Sequence, residues 1–543
     1  MGLNATRAFT LKASSNGELL SVGRCQSAIL AIVYDRYKEH FEFKKSKYYP
    51  ILATFNQNGV TYVGKWEGEK QPTKEVAERI VQKVNKQSGI ITQFTKKQMN
   101  TSAPKLYSLS LLQKEANKKY NYSAKEILEV AQSLYEKHHC ISYPRTSSYV
   151  TSADISEMHK AFFALQQSEY QPYVEKGNPA LVHPNNKAVC DEQKVDDHHA
   201  ILPTDKLPKE LTEKEQRIYD LIVRRFLAHF LEPALFEKYV VYTSVLEETF
   251  KSTASVLLRK GWKELYAEEQ DEEETEDEFL TQALSLQEHG DVRCTDTKIQ
   301  EQETKPFPLF TEGTLIDAML KAGSKVEDEE ARELMKHTGI GRESTRASLI
   351  ELLKARKYIQ VKGKSLLVTD KGTFLIETLR QTKIQTLTSA DYTGEWEKRL
   401  KMIENQTYSP QEFMKIVRKF TESIVVEAGT IQKTYVKEQV DFGTCPKCQK
   451  GKVLEGKKGY GCSLWKEGCT FTLSLWKSQY GKTLSTAQVK ALIDKKETGV
   501  LTFTSQKKKD TKYKAKLKLT DDWKVVLEFS DSTNNSSGKK KSS

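Results

Sequence analysis

Long hydrophobic runs are missing from this sequence of 543 residues. No stretch approaches the roughly 18 consecutive apolar residues that a membrane-spanning helix requires. The first residues, from Met1 to Arg7, contain no apolar core of the kind that precedes a signal-peptide cleavage site. We therefore expect neither a membrane protein nor a secreted one, and predict a cytoplasmic location without a membrane partner.

Cysteine is also scarce, because eight residues in the whole chain are too few for a disulfide scaffold. Four of them lie near the C-terminus, at Cys445, Cys448, Cys462 and Cys469. The first pair, with two residues between them, would supply two thiolate ligands to a tetrahedral metal ion. The second pair would supply the other two ligands across a short β-ribbon. This spacing predicts a structural Zn site. Six residues separate the second pair, so four unliganded cysteines stay the alternative.

Acidic residues are outnumbered by basic ones, and the imbalance is uneven along the chain. Lysine and arginine number 85 against 73 aspartates and glutamates, which gives a formal charge of +12. Residues 501–543 contain eleven lysines and five acids. Such a segment favours a polyanionic partner, most commonly nucleic acid, or serves as a solubilising tail. The opposite bias at 268–278, nine acids in eleven positions, predicts a solvated linker.

The hydrophobic pattern changes several times, as expected for the three or four domains that this length allows. Helical spacing predicts helices over 21–37, 75–86, 107–139, 152–165 and 213–230, the third containing the capping box Ser123-Ala-Lys-Glu126. Alternation predicts a hairpin over 48–66 and strands over 90–95, 239–247 and 254–258.

The last third of the chain has patterns of its own. A helix at 344–354 followed by two short strands around Gly363 predicts a winged-helix element. Five aromatic residues are interleaved with lysines in the cysteine-rich region: Tyr460, Trp465, Phe471, Trp476 and Tyr480. This composition suits a surface that stacks single-stranded bases, although some of these rings would simply pack a small domain. The tail at 531–543 is too polar to fold.

Tyr143 is the sharpest candidate for a nucleophile. It follows a predicted helix, precedes the rigid Pro144, and has Arg145 two residues further on. A phenol that attacks a phosphodiester needs a cation to offset charge on the phosphate, and a guanidinium fork suits that role. By spacing alone, a packing role for this tyrosine stays the alternative. His198 and His199 are adjacent, so one could contact a phosphate while the other packs, or both are ordinary loop residues.

Several segments together resemble the type IA DNA topoisomerases, and within them the bacterial topoisomerase III group. In chain order these segments are Leu3-Asn-Ala-Thr-Arg-Ala-Phe-Thr10, Ser21-Val-Gly-Arg-Cys-Gln26, Ile141-Ser-Tyr-Pro-Arg-Thr146, Asp197-His-His-Ala-Ile-Leu-Pro203, Phe310-Thr-Glu-Gly-Thr-Leu315, Gly339-Ile-Gly341, Thr345-Arg-Ala-Ser348 and Thr393-Gly-Glu-Trp396. The resemblance runs from about residue 3 to residue 475. Ser147 departs from the aspartate that many relatives have after the Arg-Thr pair.

The resemblance implies a transesterification on DNA that needs no ATP. Tyr143 would join the 5′-phosphate, Arg145 would stabilise the charge of the transition state, and His198 would position the scissile phosphate. The residues that the resemblance assigns to single-strand binding are Arg7, Arg24, Gln26, Thr345 and Arg346. The implied partners are single-stranded and supercoiled or catenated DNA, which would associate the protein with the nucleoid.

The resemblance also implies a multidomain α+β fold with a toroidal core and a C-terminal zinc ribbon. The DNA-groove domain would comprise 1–38 and 306–425, the latter with the winged-helix-like element, and the β-rich arch 39–103 and 230–305. The helical domain that carries Tyr143 would span 104–229. The zinc ribbon with the basic DNA-binding region would span 426–530, ahead of a disordered tail at 531–543.

One family component has no counterpart in the sequence, namely the TOPRIM domain whose acidic residues bind magnesium. We therefore expect the chain to be inactive alone, as a truncated product or one half of a split enzyme whose TOPRIM-bearing chain acts in trans. A non-catalytic single-stranded-DNA-binding protein is the alternative. A tyrosine recombinase fits poorly, because in those enzymes the nucleophile follows the histidine and lies near the C-terminus, whereas Tyr143 precedes His198.

Overall fold

We describe the fold from a computed structural model of the chain. The described residues are 1–15, 17–146, 148–195, 198–266, 286–335, 339–432, 434–436, 442–456, 459–473, 484–504 and 512–529, without the side chains of residues 325, 334, 472, 473 and 504. The chain divides into two compact units, Met1–Tyr435 and Val436–Ser543. Among the described residues, no helix is both long enough and apolar enough to cross a membrane.

Helices from both ends of the first unit pack around one shared core. They are α1 (Gly2–Ala13), α2 (Arg24–Phe41), α9 (Glu312–Lys321), α10 (Glu329–Met335), α11 (Glu343–Ala355), α12 (Asp370–Arg380), α13 (Ala390–Glu404) and α14 (Pro410–Thr430). Phe9 and Ile29 from the early helices meet Leu315 and Leu375 from the later ones in this core. The chain therefore leaves this helical layer after α2 and returns to it at α9.

The predicted helix and ribbon after residue 343 are confirmed. Strands β9 (Ile359–Lys362) and β10 (Ser365–Val368) form an antiparallel pair directly after α11. Gly363 lies in the turn between them with φ of 63°, a backbone conformation that glycine adopts without steric cost.

Six strands between α2 and α9 close into a β-barrel, in the order β2-β3-β6-β5-β4-β7. They are β2 (Ile51–Gln57), β3 (Val60–Trp66), β4 (Ser88–Thr101), β5 (Ala234–Val245), β6 (Glu248–Arg259) and β7 (Asp291–Ile299). A short pair, β1 (Lys47–Tyr48) and β8 (Gln302–Glu303), joins the two chain segments that lead to and from the barrel. The barrel closes because β7 pairs with both β2 and β4.

The barrel confirms the predicted hairpin over 48–66 and corrects the strand limits further on. Strands β2 and β3 pair across a turn at Asn58 and Gly59, and helix α3 (Lys74–Val84) packs its apolar side against the barrel core. The prediction that a strand runs to residue 247 is wrong. Leu246 and Glu247 both have positive φ and form the tight turn between β5 and β6.

The segment between β4 and β5 is helical and has its own core. Its helices are α4 (Leu109–Tyr120), α5 (Ala124–Glu136), α6 (Ile155–Ala164), α7 (Gln171–Lys176) and α8 (Glu213–Leu227). The predicted helical segment over 107–139 is confirmed as two helices, because Asn121 adopts a left-handed conformation that ends α4. The capping box predicted at Ser123 and Glu126 is confirmed at the start of α5.

Helices α4 and α5 meet α9 and α11 through a set of polar contacts. Glu312 Oε2 accepts a hydrogen bond from the backbone N–H of Ala124 (2.8 Å), and its Oε1 accepts one from Lys354 Nζ (2.7 Å). Glu343 Oε2 accepts from both the backbone N–H and the hydroxyl of Ser110, at 2.9 and 2.6 Å. We call these five residues the polar contact set.

The second unit contains the cysteine-rich ribbon and a small sheet. The ribbon has strands β11 (Val453–Glu455), β12 (Tyr460–Cys462) and β13 (Thr472–Leu473), which confirms the predicted β-ribbon between the cysteines. Helix α15 (Thr486–Lys495) and strands β14 (Leu501–Thr504), β15 (Lys512–Leu519) and β16 (Val525–Phe529) share one core with it. The predicted linker at 268–278 and the tail at 531–543 lie outside the described residues.

Glu215 ties the first turn of α8 to α5. Its Oε2 accepts hydrogen bonds from the backbone N–H and hydroxyl of Thr212, at 2.9 and 2.8 Å. Its Oε1 accepts from the Ser133 hydroxyl (2.6 Å) and lies 3.3 Å from His138 Nε2. Burial acts to raise the pKa of this carboxyl, but the hydrogen bonds from Ser133 and Thr212 outweigh it and lower the pKa to about 2.

Replacing Glu215 with glutamine is expected to lower the free energy of unfolding by about 2 kcal/mol at pH 7. Because the folded pKa lies below the ordinary value of 4.5, this contribution is present above that pH and is lost as the pH falls toward 2. Urea unfolding at pH 7 and at a lower pH within this window would measure it. Glu213→Gln, at an exposed ion pair with Arg217, is the control and should change stability little. If the difference in free energy of unfolding between the wild type and E215Q is as large at the lower pH as at pH 7, the lowered pKa assigned to Glu215 is wrong.

Candidate active site

Two loops that are far apart in sequence, 141–146 and 198–203, are joined by short antiparallel bridging. The backbone N–H of Ser142 donates to the carbonyl of Leu202 at 2.8 Å. Ile141 and Pro203, next to these two residues, form an antiparallel bridge. Both loops are anchored in the core of the helical segment, where their apolar side chains are buried. The fold therefore brings together the two segments that the resemblance connects.

The Tyr143 ring lies between two other rings. Its centroid is 4.7 Å from that of His198 and 5.5 Å from that of Tyr135, which approaches edge-on from α5. Tyr143 is half-buried, so its ring is held while part of the residue stays accessible to solvent. Tyr135 was not predicted as part of the site, because seven residues of helix end and loop separate it from Tyr143 and no sequence spacing signals the contact.

Arg145 has unused hydrogen-bonding capacity. Arg145 is half-buried. Its Nε is inaccessible to solvent and has no hydrogen-bond partner among the described residues. Buried donors are rarely left unpaired in proteins. A guanidinium in this condition, two residues from an accessible phenol, is suited to an anionic acceptor such as a phosphate oxygen.

The two adjacent histidines have different surroundings. His198 is exposed and its ring contacts Tyr143. His199 is half-buried, with Nδ1 at 2.9 Å from the carbonyl of Ala200 and Nε2 at 3.9 Å from Asp154 Oδ1. Only His198 of the pair therefore shares a surface with the candidate nucleophile.

Cys140 is the other nucleophilic side chain near this loop, and its environment makes it inert. It is fully buried, and its Sγ lies 3.6 Å from the carbonyl of Leu134. Burial raises the pKa of this thiol to about 12. Because the thiolate is the reactive form, Cys140 does not compete with Tyr143 as a nucleophile.

Two further motifs meet at Arg24. Its guanidinium donates to Glu397 Oε1 (2.9 Å) and to the carbonyl of Thr393 (3.3 Å), and it lies 5.6 Å from the centre of the Trp396 ring. Segments 21–26 and 393–396, which the resemblance selects separately, are therefore neighbours. Arg24 is half-buried, and its positive charge is balanced by the carboxylate of Glu397.

The other predicted DNA-binding residues fall into two classes. Arg7 and Thr345 are exposed, and the Thr345 hydroxyl donates to the carbonyl of Arg342. Gln26 is buried, and its amide donates to the hydroxyl and carbonyl of Ser21. Arg346 is 1% exposed and is held by Ser110 and Glu343. In the described conformation the last two organise the fold, and DNA contact by them stays a prediction.

The four cysteines near the C-terminus form one cluster. Their sulfur atoms all lie within 4.8 Å of one another, with Cys448 and Cys462 at 3.6 Å and Cys445 and Cys469 at 3.8 Å. Four sulfurs at bond lengths of about 2.3 Å around a tetrahedral zinc ion are spaced about 3.8 Å apart. The donor set and its spacing therefore fit Zn, and these four thiolates would hold it.

Backbone amides support this cluster. The N–H of Gly451 points to Cys448 Sγ at 3.3 Å and the N–H of Leu464 to Cys462 Sγ at 3.4 Å. Hydrogen bonds from the Gly451 and Lys450 amides lower the pKa of Cys448 to about 6. Amide donors to sulfur favour the thiolate form that a metal ion requires.

The aromatic residues of this region divide between packing and exposure. Tyr460 is buried against Phe442, and Phe471 is buried against Trp523. Trp465 is 65% exposed, so it is the ring of this group that remains suited to base stacking. The other two predicted stacking residues, Trp476 and Tyr480, lie outside the described residues.

Comparison with protein families gives two matches. A family model described as DNA topoisomerase matches residues 1–415, which is more than half of the chain. A second model, described as the C-terminal repeat of topoisomerase, matches residues 468–530.

Curated proteins and solved structures give related matches. The chain is 34% identical over 469 residues to DNA topoisomerase 3 of Bacillus cereus, and 31% identical over 471 residues to that of Bacillus subtilis. Each alignment covers 84% of this chain and 63% of the relative, so the chain spans less than two thirds of these relatives. Full-length topoisomerase I from Thermotoga maritima is similar in structure, with a TM-score of 0.57, 25% identity, and coverage of 88% of this chain and 74% of that one.

Proposed function

Because the chain belongs to the DNA topoisomerase family, in its type IA and topoisomerase III-like branch, we propose that it breaks and rejoins one DNA strand through Tyr143. The observation that carries the proposal is the contact between the rings of Tyr143 and His198, with centroids 4.7 Å apart. Arg145, which has a buried donor to spare among the described residues, supplies the cation beside it. A phenol, a guanidinium and an imidazole around one accessible position suit attack on a phosphodiester.

The proposed reaction exchanges one phosphate ester for another. The Tyr143 hydroxyl loses its proton and its oxygen attacks the phosphorus, while the bond from phosphorus to the 3′-oxygen breaks. That oxygen takes up a proton and leaves as a free 3′-hydroxyl, and the 5′-phosphate stays joined to the tyrosine. Because one ester bond replaces another, rejoining by the 3′-hydroxyl needs no ATP.

Arg145 and His198 have different tasks in this proposal. Negative charge on the phosphate oxygens increases as the tyrosine oxygen attacks, and a guanidinium held nearby stabilises that charge. His198 is exposed and lies against the nucleophile, so its ring nitrogen would position the scissile phosphate by a hydrogen bond. Arg7, Arg24 and Thr345 would contact the strand leading to the site, with Gln26 and Arg346 supporting this surface from inside.

Magnesium does not fit the metal-binding groups that the structure describes. Within the described ranges, the four cysteines are the one cluster of three or more His, Cys, Asp or Glu side chains able to hold a metal ion. Magnesium prefers oxygen ligands, so a thiolate cluster does not suit it. We propose that the acidic groups for magnesium come from a TOPRIM domain beyond these 543 residues, in a longer chain or in trans, and that the 543 residues alone are inactive.

Cleavage of a labelled oligonucleotide tests both parts of the proposal. The 543 residues with magnesium are expected to leave a 3′-end-labelled single strand uncleaved. Addition of a TOPRIM domain from a DNA topoisomerase 3 relative should produce a covalent protein–DNA adduct that maps to Tyr143. The same TOPRIM domain without the chain is the control. Efficient cleavage by the chain alone would contradict the proposal that the 543 residues are inactive without a TOPRIM domain. An adduct on another residue would contradict the assignment of Tyr143 as the nucleophile.

A non-catalytic single-stranded-DNA-binding protein is the second candidate function. The observation that favours it is strand β15, where Lys512, Lys514, Lys516 and Lys518 occupy alternate positions while the residues between them face the core. This row, with the exposed Trp465, suits a nucleic-acid strand whether or not cleavage occurs. Binding without any adduct in the presence of the TOPRIM domain would favour this function.

The remaining parts of the proposal concern the whole protein. Supercoiled or catenated DNA would be the substrate, which implies a cytoplasmic, nucleoid-associated location. The cysteine cluster would hold zinc that stabilises its ribbon. The domain limits given above, with the barrel as the arch of a toroid, also belong to this proposal.

A further inference from the structure

Ser142 makes three hydrogen bonds across the gap between the two active-site loops. Its backbone N–H donates to the carbonyl of Leu202 at 2.8 Å. Its hydroxyl donates to the carbonyl of Ala200 at 2.9 Å and accepts from the N–H of Leu202 at 2.9 Å. One side chain therefore bonds two backbone groups on the opposite loop, two residues apart. We call these three residues the serine clamp.

The serine clamp lies beside both Tyr143 and His198 in the chain, so a small shift of either loop would move these two rings relative to each other. Tyr143 follows Ser142 directly, and His198 lies two residues before Ala200. Ala200 and Leu202 are 0% and 5% exposed, so water has little access to their backbone groups. If the serine hydroxyl is removed, the buried N–H of Leu202 loses its partner and the carbonyl of Ala200 keeps the contact with His199 Nδ1, so the loops relax to satisfy the N–H.

Backbone pairing joins the two loops on the side of Tyr143 that precedes it in the chain. The N–H of Ser142 donates to the carbonyl of Leu202 at 2.8 Å, and the N–H of Thr204 donates to that of Cys140 at 3.0 Å. The Tyr143 ring is held by ring contacts with Tyr135 and His198, which are weakly directional. The two bonds of the serine hydroxyl add directional side-chain contacts to these backbone bonds, directly beside Tyr143.

We infer that Ser142 is a positioning residue that holds the Tyr143 ring against His198. Its catalytic consequence rests on the proposed function, whereas the ring contact itself does not. A serine that merely stabilises the fold would affect stability but would leave the distance between these rings unchanged. A positioning residue changes the geometry of the nucleophile and the rate of the step that the nucleophile performs.

Ser168 offers a matched control in the same helical segment. Its hydroxyl also donates to a carbonyl, that of Leu165 at 2.5 Å, and accepts from an N–H, that of Tyr170 at 3.3 Å. Like Ser142 it is half-buried. Its bonds remain within one turn of chain, however, and do not join the active-site loops.

The first experiment measures the ring contact without any reaction. In the full 543-residue chain with labelled tyrosine and histidine rings, nuclear Overhauser contacts between Tyr143 and His198 are compared among variants. Ser142→Ala is expected to lose or weaken the contact, while Ser142→Thr, which keeps the hydroxyl, and Ser168→Ala should retain it. If S142A does not fold, Ser142→Cys, a similar volume with weaker hydrogen bonds, replaces it. An unchanged ring contact in the folded S142A or S142C variant would overturn the inference.

The second experiment separates rate from binding in the cleavage assay with the added TOPRIM domain. S142A is expected to lower the rate of adduct formation on the order of tenfold or more, with oligonucleotide affinity unchanged and S142T restoring the rate. Equal rates for S142A and S168A would overturn the catalytic consequence. If the wild-type chain forms no adduct at all, the proposed function fails, and the ring contact still decides whether Ser142 positions Tyr143.

Discussion

Tyr143→Phe is expected to abolish the tyrosine-linked DNA adduct, with a loss of more than about a thousandfold in adduct formation. Phenylalanine keeps the ring that packs between Tyr135 and His198, so the loop should retain its conformation. The variant lacks only the oxygen that would form the bond to phosphorus. Denaturing gels of a 3′-end-labelled single strand, with the TOPRIM domain added, measure the adduct directly.

Tyr135→Phe is the matched control for this substitution. Tyr135 lies 5.5 Å from Tyr143, is partly exposed, and would also lose one hydroxyl. It should retain adduct formation within a few-fold, because its ring supplies the contact. Single-strand affinity should be the same for both variants and the wild type. Undiminished adduct in the Y143F variant would refute the enzyme proposal, whatever the affinity.

Cys462→Ser is expected to remove zinc from the C-terminal unit and unfold its ribbon. Structural zinc contributes an apparent free energy on the order of 10 kcal/mol to small cysteine modules. The ribbon has three very short strands, and its core includes two of the cysteines themselves, Cys445 and Cys462. Once one thiolate is lost, the ribbon strands would be held only through the core that they share with α15 and β14–β16.

Zinc content and limited proteolysis would measure this effect. The wild-type chain and the control Cys25→Ser, at a cysteine remote from the cluster in sequence, should each contain one zinc ion and a protease-resistant ribbon. The C462S variant should contain less zinc and be cleaved in the ribbon. A wild-type ribbon that stays resistant after complete removal of zinc by a chelator would contradict a structural role for the metal.

Local features of the fold were accessible from the sequence because neighbouring residues determine them. The capping box at Ser123 and the hairpin turn at Gly59 depend on a few adjacent residues, and both are confirmed. Closure of the barrel was not accessible, because it requires residues 88–90 to pair with 291–293 across about two hundred residues of chain.

The candidate site was accessible mainly through resemblance rather than through spacing. No periodicity connects Tyr143 with His198, because the contact depends on backbone bonds between two loops. The burial of Arg346 was unpredictable for a similar reason. Arginine is seldom buried unless it is paired, and its partner Ser110 lies more than two hundred residues away in sequence.

The polar contact set between α4–α5 and α9–α11 has a consequence for any separation of these helices. If α4 and α5 moved away from α9 and α11, Glu312 would exchange the N–H of Ala124 for water, and Glu343 and Ser110 would exchange each other for water. The bond from Lys354 to Glu312 joins α11 to α9 and would persist. Water can replace the N–H and hydroxyl donors that these two carboxylates would lose, so this part of the contact would cost less free energy to separate than an apolar surface of the same area.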